Sequence, residues 1–347
     1  MNWTGCHQRV LQVHPSRRCN LKCLHCYSTS GPREVDDLDR HLLLGAIRDA
    51  ACEGYNVVSV SGGEPLLYSG LPELLHQAKQ LGLRTTVTTN GILLNRRRLS
   101  MLGGLIDLVA ISIDGIPESH NRLRDSGLAF QAMRERLPGL REAGFRFGFI
   151  FTLTRHNVNE LPWVAKFAHE EGARSLQIHP LEEAGRAESL LQGSSPTDVD
   201  AAMAWLHVNR LSARYGGRLT FHTDFVNRNA FEGLLLQMEN LAPASREPGH
   251  LAGLVSPLVI EADGDVVPAQ YGFPREYGLG SLRHKTLTEL AADWMAGRSA
   301  RFAAVCRRTM EGLLQPAELP FVNWYQELTR CARQAASPES FPIIATS

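Results

Sequence analysis

Six short apolar runs, separated by amphipathic stretches at a steady pace, constrain the fold of this chain more than any other feature. RVLQVHPS, NVVSVSGG, LRTTVTTN, IDLVAISIDG, FRFGFIFTLT and RSLQIHP are β-branched or almost continuously apolar. Strands buried on both faces read this way. Between them lie helical patterns. DRHLLLGAIRDAACEG is expected to stop at Gly54, LPELLHQAKQLG at Gly82, LAFQAMRERLPGLREAG at Gly144 despite Pro138, and ELPWVAKFAHEEG at Gly172. Glycine at the first position past a helix is the residue that takes up the left-handed turn there. Six such units in succession predict a parallel sheet with right-handed crossovers, open or curled toward a barrel.

The rhythm changes after Ala184. SLLQGSSPTD reads as a loop, DVDAAMAWLHVNRLSARYG as a helix, GRLTFHTDF as a further strand and NLAPASREPGHLAG as a Pro/Gly-rich connector. SPLVIEADGDVVPAQ predicts a hairpin turning on Asp263–Gly264, and the remainder reads as mostly helical. The expected division is a core over 1–225 and a smaller α+β module over 226–347.

Three of the seven cysteines, Cys19, Cys23 and Cys26, fall in CNLKCLHC, directly after the first strand. Closed zinc sites use four ligands, and a disulfide framework needs an even count in a short secreted chain. Three thiolates without a fourth suit an iron–sulfur cluster with one iron left open. An incomplete zinc site is the plainer alternative. The other strand ends carry polar groups in turn: SGGEP (Ser61 to Pro65), TTNG (Thr88 to Gly91) and SIDG (Ser112 to Gly115). In parallel α/β sheets ligands bind beyond the carboxyl ends of the strands. The glycines of SGGEP permit close approach of a ligand to the backbone, and Glu64 can accept from an ammonium. Thr and Asn in the next motif suit ribose hydroxyls, and Arg122 or Arg124 in HNRLRD can pair with a carboxylate.

Taken together and in this order, CNLKCLHC, GGEP, TNG and SIDG resemble the motifs of the radical S-adenosylmethionine (radical SAM) enzymes over roughly Leu11 to Ala187. The resemblance implies a partial (β/α)6 TIM-like barrel holding one 4Fe–4S cluster and S-adenosylmethionine. It implies that Cys19, Cys23 and Cys26 ligate the cluster and that Gly62, Gly63 and Glu64 meet the methionine amine. Thr89, Asn90, Ser112 and Asp114 then lie near the ribose, and Arg124 near the carboxylate. The activity implied is reductive cleavage of S-adenosylmethionine to a 5′-deoxyadenosyl radical that takes a hydrogen atom from a substrate, with a flavodoxin or ferredoxin as electron donor. His25 and Tyr27 are expected to pack over the cluster.

DGDVVPAQ, YGLGSL and LTEL resemble the SPASM or twitch extension, in which a cysteine after the proline begins an auxiliary cluster site. That position is Ala269 here, leaving Cys306 and Cys331 downstream, too few for a cluster. A net redox-neutral reaction is therefore expected, with Cys306 and Cys331 as candidate hydrogen donors. His179, with Glu182 and Arg186 nearby, is a candidate catalytic group at the cavity mouth, and His222 and Asp224 are candidates at the same face.

Relatives with that extension mostly modify ribosomally made peptides or build cofactors. The leading expectation is peptide maturation, alone or with a separate peptide-recognition protein. The alternatives are a small-molecule natural-product or cofactor precursor, and a non-catalytic iron–sulfur sensor or scaffold. The 36 basic and 36 acidic side chains balance, which disfavours a nucleic-acid groove or an anionic membrane surface. The absence of a secretory h-region and of a long apolar run predicts a cytoplasmic protein.

Overall fold

Seven strands stand side by side in the order of the chain: β1 (Val10–Val13), β2 (Val57–Val60), β3 (Arg84–Thr89), β4 (Leu108–Ile113), β5 (Phe147–Leu153), β6 (Ser175–Pro180) and β7 (Thr220–Thr223). Each pairs in parallel with the next, Val13 opposite Val60 and Thr152 opposite His179. This computed structural model describes residues 8–232, 235, 250–315 and 320–336. The six expected strands are all present, and the seventh lies where GRLTFHTDF suggested. β5 is buried at every position but Ile150, as a strand covered on both faces must be.

The crossovers are amphipathic helices. α1 (Arg40–Cys52) buries Leu43, Ala46, Ile47 and Ala50, and α2 (Leu71–Gln80) buries Leu71, Leu74, Leu75 and Ala78. Both sets follow the i, i+3, i+4, i+7 spacing of one helix face. Each leucine so buried is worth about 1.5–3 kcal/mol. α3 (Arg96–Leu102) and α4 (Pro117–Leu123) follow in the same way. The expected long helix ending at Gly144 is instead two, α5 (Ala129–Arg134) and α6 (Leu137–Glu142), with Pro138 in the first turn of the second. Proline lacks an N–H and collides with the carbonyl four residues back, so it starts helices and does not continue them. α7 (Leu161–Glu170) completes the set. Gly54 and Gly172 end their helices with φ of +84° and +79°.

Beyond β6, α8 (Arg186–Leu190) occupies the start of the expected loop, and α9 (Asp198–Tyr215) begins with a capping box between Thr197 and Asp200. β8 (Phe225–Asn227) pairs antiparallel with β12 (Phe321–Asn323). β9 (Leu258–Ile260) and β10 (Asp265–Pro268) form the expected hairpin, with Gly264 at φ +94°. The hairpin is not a detached module: β9 lies parallel to β1, and β11 (Gly280–Ser281) adds to β10. The sheet thus runs β11-β10-β9-β1-β2-β3-β4-β5-β6-β7, and a single hydrophobic core reaches from Leu11 to Ala332. Helices Leu287–Asp293, Ser299–Leu313 and Trp324–Ala336 close the C-terminal part. Residues 240–249 of the Pro/Gly-rich connector, and Cys6, lie outside the described residues. Among the described residues no helix is long and apolar enough to cross a membrane.

Candidate active site

Beyond the carboxyl ends of the strands lies a cavity of about 400 Å³. Its walls include Cys19, Cys23 and Cys26 on one side and Gln177, His179 and Glu182 on the other. Gly62, Gly63, Thr89, Asn90, Ser112 and Arg124 also line it. One parallel sheet therefore brings together residues that the sequence spreads over more than 150 positions, as the strand-end rule requires.

The cysteine loop is shaped by its backbone. The Cys19 amide donates to the Gly31 carbonyl at 3.1 Å, the Gly31 amide to Arg17 at 3.0 Å, and the Leu24 amide to Leu123 at 2.9 Å. Every thiol sulfur has a donor aimed at it. The Leu21 amide lies 3.4 Å from Cys19 Sγ, the Arg124 guanidinium 3.8 Å from Cys23 Sγ, and the Ser30 amide 3.3 Å from Cys26 Sγ. Donors of this kind steady thiolate ligands of a metal centre. Burial without metal pushes Cys19 up to about 12 and raises Cys23 despite Arg124; coordination by iron would supply the charge that removes those protons. Among the described residues no three His, Cys, Asp or Glu side chains converge on a single ion. A cluster does not ask for that, because each thiolate binds a different iron. The three-thiol set fits an iron–sulfur cluster and not a lone zinc.

The glycines after β2 serve the cysteine loop as well as the cavity. A Cβ on Gly63 would stand 2.1 Å from the Arg18 carbonyl oxygen, and Gly62 holds φ +111°. The Gly63 and Glu64 amides donate to the Ser16 and Arg18 carbonyls at 2.9 and 2.8 Å. The close approach expected for a ligand is thus made first by the protein's own backbone. Glu64 does not face the cavity. It is 2% exposed and accepts from Thr89 Oγ1 at 2.7 Å, the Asn90 amide at 3.0 Å and the Leu66 amide at 3.2 Å. Burial raises its carboxyl above the usual range against those bonds.

Asp114 likewise stands behind the wall and not at it. Fully buried, it takes the Arg124 guanidinium through Nε at 2.5 Å and Nη2 at 3.2 Å, with His25 and His120 beside it. Burial opposes its ionisation, but the Arg124 guanidinium holds it well below the usual carboxylate range. Burial lowers both His25 and His120 to about 4, so the rings are neutral and Asp114–Arg124 is the ion pair. Arg122 is exposed on α4, which leaves Arg124 as the arginine at the cavity. Sequence reasoning missed this pairing because nothing in SIDG or HNRLRD marks one as the other's counterion.

On the opposite side His179 Nδ1 meets Asp224 Oδ2 at 2.7 Å, and Gln177 Nε2 donates to both Asp224 oxygens at 3.1 and 2.8 Å. Burial favours the neutral ring, yet the bond and charge of Asp224, with Glu182, lift His179 to about 9. Glu182 Oε1 lies 4.0 Å from His179 Nε2. His222 is exposed on β7. Cys306 and Cys331 are corrected as hydrogen donors: neither lines the cavity, because both sit on C-terminal helices packed against the hydrophobic core. Burial pushes Cys306 up to about 12. Tyr27, Tyr271 and Tyr325 line the cavity instead, the last two from segments whose helical and turn patterns carried no sign of it.

Comparison with known proteins gives the same picture. The radical SAM superfamily model matches residues 13–168. Fe-coproporphyrin III synthase of Methanosarcina barkeri is 34% identical over 52% of this chain, a match spanning 46% of that relative, less than half its length. The sporulation killing factor maturation protein SkfB of Bacillus subtilis is 24% identical over 87% of this chain and 69% of its own length. The structure of anSMEcpe with bound AdoMet superposes with a TM-score of 0.63 at 19% identity, covering 94% of this chain and 92% of that one, and shows the fold in common. Over residues 13–168, then, the chain is similar to the radical SAM superfamily, and beyond that match it shares the fold of anSMEcpe.

Proposed function

We propose that this chain cleaves S-adenosylmethionine reductively and uses the product to take a hydrogen atom from one residue of a ribosomally made peptide. Cys19, Cys23 and Cys26 would hold a 4Fe–4S cluster, which would supply the one-electron reduction that the cleavage needs. The chain's own residues bind and orient. Arg124, held by Asp114, presents a fixed guanidinium toward the cosubstrate carboxylate, and Thr89, Asn90 and Ser112 offer short polar groups to the ribose. Gly62 and Gly63, whose missing side chains let the backbone turn against Ser16 and Arg18, line the cavity beside the amine. Glu64 acts one step back, fixing Thr89 and Asn90.

The observation that carries the peptide reading is the size and make-up of the cavity. At about 400 Å³ it must take cosubstrate and substrate together. Small-ligand sites span roughly 300–1,000 Å³, so what remains suits one side chain better than a whole macrocycle. Tyr271 and Tyr325 bring apolar rings with polar tips to the cavity wall, and His179 and Glu182 supply further polar groups. SkfB, a maturation protein by name, supports the same reading over 87% of the chain. A tetrapyrrole or other cofactor precursor is the second reading, favoured by the identity to Fe-coproporphyrin III synthase.

The deciding experiment is anaerobic. Reconstituted protein, reduced with dithionite, is given S-adenosylmethionine and then either the short peptides encoded beside its gene or iron coproporphyrin III. Formation of 5′-deoxyadenosine with a change in peptide mass is the expected result. A change in the tetrapyrrole alone overturns the peptide reading, and no 5′-deoxyadenosine from any mixture overturns catalysis in favour of a sensor or scaffold.

A further inference from the structure

Arg186 opens α8 and lies against the cysteine loop. Its Nε donates to the Cys23 carbonyl at 2.8 Å, its Nη2 to the Ser30 carbonyl at 2.7 Å, and its amide to the Cys26 carbonyl at 3.0 Å. Two of these three acceptors belong to thiol-bearing residues. The preceding Gly185 has φ +59°, and a Cβ there would stand 2.3 Å from the Tyr27 carbonyl oxygen. The loop is thus met closely by Gly63 at Arg18, before the thiols, and by Gly185 at Cys26 and Tyr27, at their end, with Arg186 as the tie.

The charge of Arg186 is the notable part. Arg124 has Asp114 as its anion, whereas the side-chain hydrogen bonds of Arg186 among the described residues go to neutral carbonyls. A half-buried guanidinium without an anion costs free energy. That cost falls once thiolates and iron load the loop it lies against, because their summed charge is negative.

We propose that Arg186 is the positioning residue of the cysteine loop, and that its positive charge makes the bound cluster easier to reduce. Its planar fork sets the loop through two carbonyls at once, which an ammonium cannot do in the same way. A cation beside a cluster favours the more negative, reduced state. The inference rests on the reading that Cys19, Cys23 and Cys26 hold a cluster.

The test uses the reconstituted full chain without S-adenosylmethionine. Iron and sulfide content are measured for wild type, Arg186→Gln and Arg186→Lys, and the reduced signal is followed by electron paramagnetic resonance at poised potentials. Arg186→Gln is expected to load less iron, and its reduced-to-oxidised ratio at a given potential is expected to fall about tenfold, which is 59 mV for a one-electron couple. Arg186→Lys is expected to restore the ratio while loading remains impaired, separating charge from fork. Wild-type loading and ratio in Arg186→Gln overturn the inference, as does a ratio in Arg186→Lys no better than in Arg186→Gln, or failure of both variants to load. Absence of iron from the wild type would instead overturn the cluster reading itself.

Discussion

On the thiol side of the cavity Asp114 and Glu64 are each held by several donors of the protein, whereas on the opposite side, among the described residues, Asp224 is held by Gln177 and His179 but Glu182 meets the His179 ring at 4.0 Å. Asp114 holds Arg124 through two of its nitrogens, and Glu64 takes three donors. The difference separates two tasks. A wall that meets the same cosubstrate in every turnover gains from groups locked before binding, since their ordering is not repeated each time. A wall that meets the substrate keeps hydrogen-bonding capacity open for it.

The largest expected effect lies on the thiol side. Replacing Cys19, Cys23 and Cys26 together by alanine should abolish iron binding, against about four irons per chain in the reconstituted wild type. Close to eight irons, or a cluster that survives the change, would bring Cys6, Cys306 or Cys331 into play and erase the contrast. Next comes Asp114→Asn, which strands the Arg124 charge in the interior. Breaking a buried pair from one side costs about 3–5 kcal/mol, to be read from denaturant unfolding of the metal-free chain. A loss below 1 kcal/mol would mean that the pair is not the strut described here.

Glu64→Gln should cost about 1–3 kcal/mol, because one carboxylate oxygen among three donors becomes an amide. Here stability and affinity separate two roles. If Glu64 is a strut, unfolding shifts and S-adenosylmethionine affinity falls with it; a fall in affinity at unchanged stability would return Glu64 to the amine contact that GGEP suggested.

The smallest effect belongs to the open side. His179 has a folded-state value near 9 against an ordinary 6.5, so its bond to Asp224 contributes fully below pH 6.5 and fades as the pH rises through about 9. Asp224 is depressed, so its share is lost only in acid, as the pH falls from the ordinary 3.8 through the lower folded value. The melting difference between wild type and His179→Gln should therefore be widest between the ordinary carboxylate range and pH 6.5, and vanish above about 9. A difference that stays constant across that range would show that the ring is held by packing alone.

The parts of this site that were legible in the sequence are those encoded by local order. Strand periodicity placed β1 to β6, and each motif sits at the strand end its position predicted. What stayed hidden is pairing between segments far apart. Asp114 and Glu64 carry the residue types the motifs call for, but only the packed sheet reveals that they face inward to brace Arg124, Thr89 and Asn90. Arg186 read as one more polar group near the mouth, since nothing in its neighbourhood of the chain names Cys23 or Ser30 as its acceptors. Pro138 was visible as a helix breaker, yet the apolar rhythm around it favoured continuity, and the ring's clash decided otherwise.

The parallel pairing of β9 with β1 has a consequence for how the protein is made. The Val10 amide finds the Ser256 hydroxyl 246 residues later, and the His14 amide finds the Ile260 carbonyl. At roughly 5–20 residues per second on a ribosome, the first strand waits on the order of ten seconds or more for its second neighbour. Contacts so distant along the chain are slow to form, because the intervening loop must close before it is rewarded. Throughout that interval the cysteines that follow β1 hang from a strand with one edge bare. Delivery of iron and sulfide is therefore expected to be timed after β9 has emerged and paired with β1, when the edge has closed and the thiols have their walls.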